Sequence, residues 1–124
     1  MQHDFYFDGD TRKISWTIKT QDSTVEQERK HADIYYDKVT DLQSKYIAFH
    51  VGLFWGIGTF IIKNEDQVMI KLDNQIMYEH LKSNEKSDDV FIEKRTCFIK
   101  QLILQRRLKI DFEFVPKKEN TMQE

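Results

Sequence analysis

Val68 to Leu72 ("VMIKL") alternate apolar and polar side chains with β-branched residues among them, the pattern of a half-buried strand. Gln75 to Lys82 ("QIMYEHLK") then take up helical spacing. Read in the same way, the chain predicts strands over 2–8, 12–20 and about 25–37, a long helix over 41–62, a strand over 67–72 and a helix over 75–82. A polar loop, "SNEKSDD", leads to a helix over 90–108, a strand over 109–115 and a polar end, "PKKENTMQE". No repeat, low-complexity tract or linker divides the 124 residues, which predicts one domain over 1–124.

Three strands joined by short turns predict an antiparallel meander, and the fourth, reached through a long helix, has the connection that parallel pairing requires. A right-handed crossover places 67–72 beside and parallel to 2–8. The expected fold class is therefore α/β, a five-stranded mixed sheet with helices on its faces. The apolar run 46–62, "YIAFHVGLFWGIGTFII", is at the short limit for a membrane span, but His50 and three glycines interrupt it. A helix buried in a compact domain is the expected reading, with no membrane partner.

The balance of 19 basic against 21 acidic residues, a net charge of −2, gives no whole-molecule field for nucleic acid, so any such binding must be local. Cys97 is the single cysteine and has no metal-spaced partner. It suits a reducing, cytoplasmic setting and is expected to pack as a small hydrophobe in the apolar helix "RTCFIKQLIL". "MQHDFYFDGD" has no apolar core of a signal peptide.

The polar residues at the strand ends carry the candidate chemistry. Asp73 stands between a strand and a helix, where either it or Asn74 can cap the helix. Asp8 ends the aromatic strand "FYFD", where Asp8-Gly9 can equally form a hairpin turn. The crossover brings Asp8 and Asp73 to one sheet edge. A close carboxylate pair repels unless a cation or a shared proton lies between them. Mg²⁺ is often held by one or two carboxylates with phosphate and water.

At these positions the chain resembles the ribonuclease H type I family over essentially its whole length. "YFDG" (6–9) resembles the first strand with its catalytic Asp, and "KLDNQ" (71–75) resembles the family's G-D-S-Q. "IAFHVGL" (47–53) resembles the central helix with its V-A-E-Y-x-A/G-L pattern, and "EFVPKKEN" (113–120) resembles the last strand and W-V-P-R-E-x-N. The resemblance implies a ribonuclease H-like fold and cleavage of the RNA strand of an RNA/DNA hybrid by two ions, Mg²⁺ or Mn²⁺. It implies Asp8, Asp73 and Glu124 as catalytic and metal-ligating residues; Asn74 and Asn120, in the matched stretches, and the basic Lys100 and Arg107 are the candidate nucleic-acid contacts. Binding of this kind reads duplex shape, phosphates and 2′-hydroxyls.

The chain also departs from that pattern. The family's glutamate is placed on Phe49, which cannot ligate a metal and is expected to stand beside Asp8 and Asp73. His50 points about 100° away, and Asp10 is the nearest spare carboxylate. The glycine-rich loop is reduced to "GDTR". Six basic residues and no acidic one lie between Lys94 and Lys109. Lys100 and Arg107 share one helical face, Arg95 and Arg106 another, and both phosphate binding and simple solvation fit. Trp16 and Trp55 are read as core. Two functions follow: a nuclease of reduced activity, or an inactive ribonuclease H-fold module binding nucleic acid or a protein partner, with homo-oligomerisation open.

Overall fold

The computed structural model describes residues 1–117. Its elements are β1 (Gln2–Gly9), β2 (Lys13–Thr20), β3 (Ser23–Lys30), α1 (Asp41–Gly58), β4 (Gln67–Leu72), α2 (Gln75–Ser83), α3 (Val90–Arg106) and β5 (Lys109–Phe114). The strands form one sheet in the order β3-β2-β1-β4-β5. β1 is antiparallel to β2 and parallel to β4, and β4 is parallel to β5. The mixed five-stranded sheet and its parallel β1/β4 pair are as the sequence predicts.

The differences lie at element ends. The third strand stops at Lys30, and the predicted stretch to residue 37 is instead a series of turns around Ala32–Lys38. α1 ends at Gly58, where the backbone N–H and the hydroxyl of Thr59 both turn back onto the Trp55 carbonyl, at 2.9 and 2.8 Å. No helix among the described residues is long and apolar enough to cross a membrane.

Alternation explains the core. Phe5, Phe7, Trp16, Ile18, Ile70 and Leu72 are all buried and share a sheet face by register. α1 lies against this face and buries Phe49 among Phe5, Phe7 and Phe112, with ring centroids 5.3 Å apart for the stacked Phe7 pair. Burying each such ring contributes about 2–3 kcal/mol, so this aromatic layer is a main support of the fold. The opposite face carries Asp4, Ser15, Lys19, Glu26 and Lys71. Trp16 is fully buried and tilts against half-buried Trp55, which keeps both indoles in the core as expected.

Cys97 does not follow its expectation. The thiol is exposed and lies 3.6 Å from Glu93 Oε2. α3 buries Ile92, Thr96, Ile99 and Leu102, and position 97 falls on the polar side with Glu93, one turn earlier.

Candidate functional site

The β1/β4 ladder pairs Tyr6 with Lys71, and two further residues along each strand reach Asp8 and Asp73. Asp8 lies within β1, paired with Ser15, and therefore is not a turn residue. The turn is made one step later by Asp10, whose Oδ1 accepts hydrogen bonds from Arg12 N at 2.8 Å and Lys13 N at 2.9 Å. These bonds, with the charges of Lys13 and His31, hold the Asp10 carboxyl below its ordinary value against the opposing effect of burial. Asp10 is thus a structural turn residue, which accounts for it without a metal.

At the other strand end the two capping candidates separate. Asn74 is the N-cap of α2, its Oδ1 accepting from Met77 N at 2.9 Å. Asp73, one residue earlier, extends from the strand into the site. Asn74 also lines the cleft, but its side-chain oxygen is committed to the helix.

Both carboxylates meet the same ammonium group. Lys45 Nζ donates to Asp8 Oδ1 and lies 3.4 Å from Asp73 Oδ1. Its side chain is only 12% exposed, those of Asp8 and Asp73 29% and 4%, so the charges interact in a poorly solvated place. Burial alone would push the Lys45 ammonium down, but the hydrogen bond and charge of Asp8, joined by those of Asp73, hold it above the ordinary lysine value. Asp8 Oδ1 also accepts from Gly9 N at 2.8 Å.

The position of Lys45 is built by its neighbours. Thr40 and Gln43 form a capping box at the start of α1, with both reciprocal hydrogen bonds 3.0 Å long. A Cβ at residue 9 would come within 2.8 Å of the Ser44 backbone, so glycine there lets the helix settle on the end of β1. His31 locks the same junction, its Nε2 lying 2.7 Å from Ser44 Oγ and 3.1 Å from the Asp10 carbonyl oxygen. The residue after Ser44 is then delivered over the two strand ends. Asp8, Asp10, Lys13, Asp41, Lys45 and Lys117 border an open cleft of about 300 Å³ at this place.

Phe49 is not at the carboxylates, contrary to expectation. It is fully buried in the aromatic layer one turn further along α1. The pattern V-A-E-Y-x-A/G-L also fits Gln43 to Phe49, with Lys45-Tyr46 on its E-Y step and Ala48 on its small residue. A shift of four residues keeps the helical face, and small residues at both 48 and 52 make the two alignments look alike. The Tyr46 side chain supports the earlier register: it is buried and its hydroxyl lies 2.5 Å from His80 Nδ1. Lys45 is the site residue that the sequence reading missed. A lysine four residues before the chosen position, followed by tyrosine, was its only signal.

The carboxylate pair as it stands does not fit a divalent ion, because an ammonium already lies between the two groups. Among the described residues no three or more His, Cys, Asp or Glu side chains are grouped to hold a metal. Glu124 and Asn120 lie outside the described residues. The basic face of α3 is divided. Arg107 is the left-handed C-cap at φ 54°, beyond the helix, and pairs with Glu65 at 4.0 Å, so it does not continue the face of Lys100. Arg95 is engaged by His50 Nδ1 at 3.0 Å and by the Tyr35 hydroxyl at 2.7 Å. Burial, and then the nearby Arg95 charge, lower the His50 pKa.

Comparison with known proteins agrees with this architecture. No protein-family model matches the chain, and no curated protein matches it in sequence. In structure, the chain is similar to the RNase H1 of the halophilic archaeon Halobacterium salinarum, with a TM-score of 0.79 over 98% of this chain and 90% of that one, at 17% identity. The N-terminal RNase H domain of Mycobacterium tuberculosis Rv2228c gives a TM-score of 0.76 at 18% identity, covering 98% and 92%. LC11-RNase H1, isolated from compost by a metagenomic approach and solved in complex with an RNA/DNA hybrid, gives 0.74 at 16%, covering 95% and 88%. The chain has the RNase H-like fold.

Proposed function

We propose that this chain is an RNase H-fold module that binds RNA/DNA hybrid duplexes without cleaving them, with Lys45 as a permanent internal cation at the former place of catalysis. The observation that carries the reading is the contact of Lys45 with both Asp8 and Asp73. Hydrolysis by two metal ions needs carboxylates free to hold hard, hydrated cations and a nucleophilic water. An ammonium ion offsets one of the two carboxylate charges but has no open coordination position, and it cannot generate hydroxide. The fold and its polar edge would persist, while the chemistry would lapse.

Support for the hybrid as ligand comes from the likeness to a protein solved with that duplex. It also comes from Lys13 and Lys117 on the rim of the cleft, which offer phosphate contacts independent of any metal. With a net charge of −2, such binding would be modest and strongly salt-dependent.

The test is anisotropy of a labelled hybrid together with gel analysis of its RNA strand, in EDTA and in Mg²⁺ or Mn²⁺. Binding that is similar in all three conditions, with the RNA intact, is expected. Divalent-dependent cleavage would overturn the reading and return the nuclease interpretation, with Lys45 displaced on loading. Absence of hybrid binding at low salt would leave the fold without this ligand and refute the proposal.

A further inference from the structure

We infer that the outer edge of β5, with the apolar groove beside it, is a docking site for an extended, net acidic segment of a partner protein, apolar at alternate positions. This surface is separate from the Lys45 cleft and does not depend on the function proposed for it. β5 is the last strand of the sheet. Lys109 N and Val115 N donate to Asp66 and Leu72 carbonyls of the β4 side, both at 2.9 Å, so the odd-numbered residues serve that ladder. The amides of Ile110, Phe112 and Phe114 point the other way by alternation. The Phe112 amide is capped by Asp111 Oδ1 at 2.8 Å. A strand laid along this edge would pair with the others.

The groove decides what that strand should carry. Leu81, Ile103, Leu104, Ile110 and Phe112 line an open space of about 320 Å³ between β5, α2 and α3. Ile110 and Phe112 share the sheet face of Val68 and Ile70. Alternate side chains of an added strand would continue that face and enter the groove, as in strand addition to other sheet edges. Leu104 is 76% exposed although it borders this space, an apolar group that gains from being covered.

Charge selects the sign of the occupant. Lys100 borders the groove, and Arg106 and Lys109 lie where α3 turns into β5, both exposed. The acidic residues of β5 are matched already: Asp111 with Lys82 at 3.4 Å and Glu113 with Lys71 at 2.5 Å. Acidic groups on the docked segment would therefore meet Lys100, Arg106 and Lys109, whereas basic ones would be repelled.

The experiment uses the full chain and a labelled nine-residue peptide with valine or isoleucine at alternate positions, serine or threonine between them, and two acidic residues at each end. Saturable binding is expected, weakened at least about tenfold by Leu104→Asp or by a central proline in the peptide. Lys100→Glu should remove the preference over a peptide with lysines at its ends. Both substitutions are on exposed side chains and should leave the melting temperature unchanged. Four results would overturn the inference: no saturable binding, equal binding of the lysine-ended peptide, an unaltered Leu104→Asp variant, or a concentration-dependent dimer that Leu104→Asp abolishes, which would assign the groove to a second copy.

Discussion

The Lys45 ammonium lies 3.4 Å from the Asp73 carboxylate and so ties the second turn of α1 to the end of β4, while also bonding Asp8 at the end of β1. One side chain therefore joins the three elements that meet at the cleft. Substituting Lys45→Glu reverses the arrangement, replacing the internal cation with a third carboxylate. Without metal, the three acids repel and the variant should melt below the parent. Mn²⁺ or Mg²⁺ should restore its melting temperature and give a calorimetric binding signal that the parent lacks. A folded Lys45→Glu protein indifferent to both ions would show that the lysine is not what keeps metal out.

Lys45→Met removes the charge but keeps most of the apolar stem. Asp8 and Asp73 are then left facing each other, and a loss of about 3 kcal/mol is expected at pH 7, the low end of the scale for a broken buried pair because Asp8 is 29% exposed. Denaturant unfolding of Lys45→Met beside the parent at pH 7 checks the loss, and equal stabilities would show that the ion pair contributes nothing. The pH dependence follows from the raised Lys45 value: its contribution in the parent is full below the ordinary lysine value of 10.5 and is lost as pH rises through the folded value, so the two proteins should converge at alkaline pH.

The sheet was legible because alternation and turn residues speak locally. The parallel step followed from one long helix between strands. Asp8 and Asp73 were placed together by that topology alone. What could not be read was the helix register. "KYIAFHVGL" offers small residues at Ala48 and Gly52 and apolar residues at Phe49 and Leu53, so two alignments four residues apart satisfy the same face. Only packing separates them: Gly9 against Ser44 fixes which turn of α1 reaches the strand ends. Turn chemistry failed in a similar way at Asp8 and Asp10, since both aspartates can cap a turn and only the length of β1 shows which does.

Phe49 supplies a direct test of the register. Its ring is fully buried against Phe5, Phe7 and Phe112. Phe49→Glu places an unpaired carboxylate in an aromatic core and should cost more than about 4 kcal/mol, enough to unfold much of the protein at neutral pH. Phe49→Leu should cost about 1–2 kcal/mol and leave hybrid binding intact. A well-folded Phe49→Glu variant that binds Mn²⁺ would place the ring beside the carboxylates and refute the core position.

At the opposite end of the β1/β4 pair, a second buried carboxylate predicts the acid limb of stability. Asp66 is buried and accepts from Lys63 N at 2.8 Å, and its Oδ2 lies 2.8 Å from His3 Nε2, whose other nitrogen is 2.6 Å from Thr20 Oγ1. Burial would push the carboxyl up, but the His3 and Lys63 hydrogen bonds outweigh it and hold the value at about 2, against an ordinary 3.8. A depressed folded value means that the unfolded chain binds the proton more readily. The contribution is therefore full above pH 3.8 and is lost as pH falls towards 2. The difference corresponds to about 2 kcal/mol. Asp66→Asn keeps an acceptor for His3 but cannot ionise, so it should destabilise the protein at pH 6 and flatten the fall between pH 4 and 2. Denaturant unfolding of both proteins across that interval checks this. Parallel curves for Asp66→Asn and the parent would show that acid stability is set elsewhere.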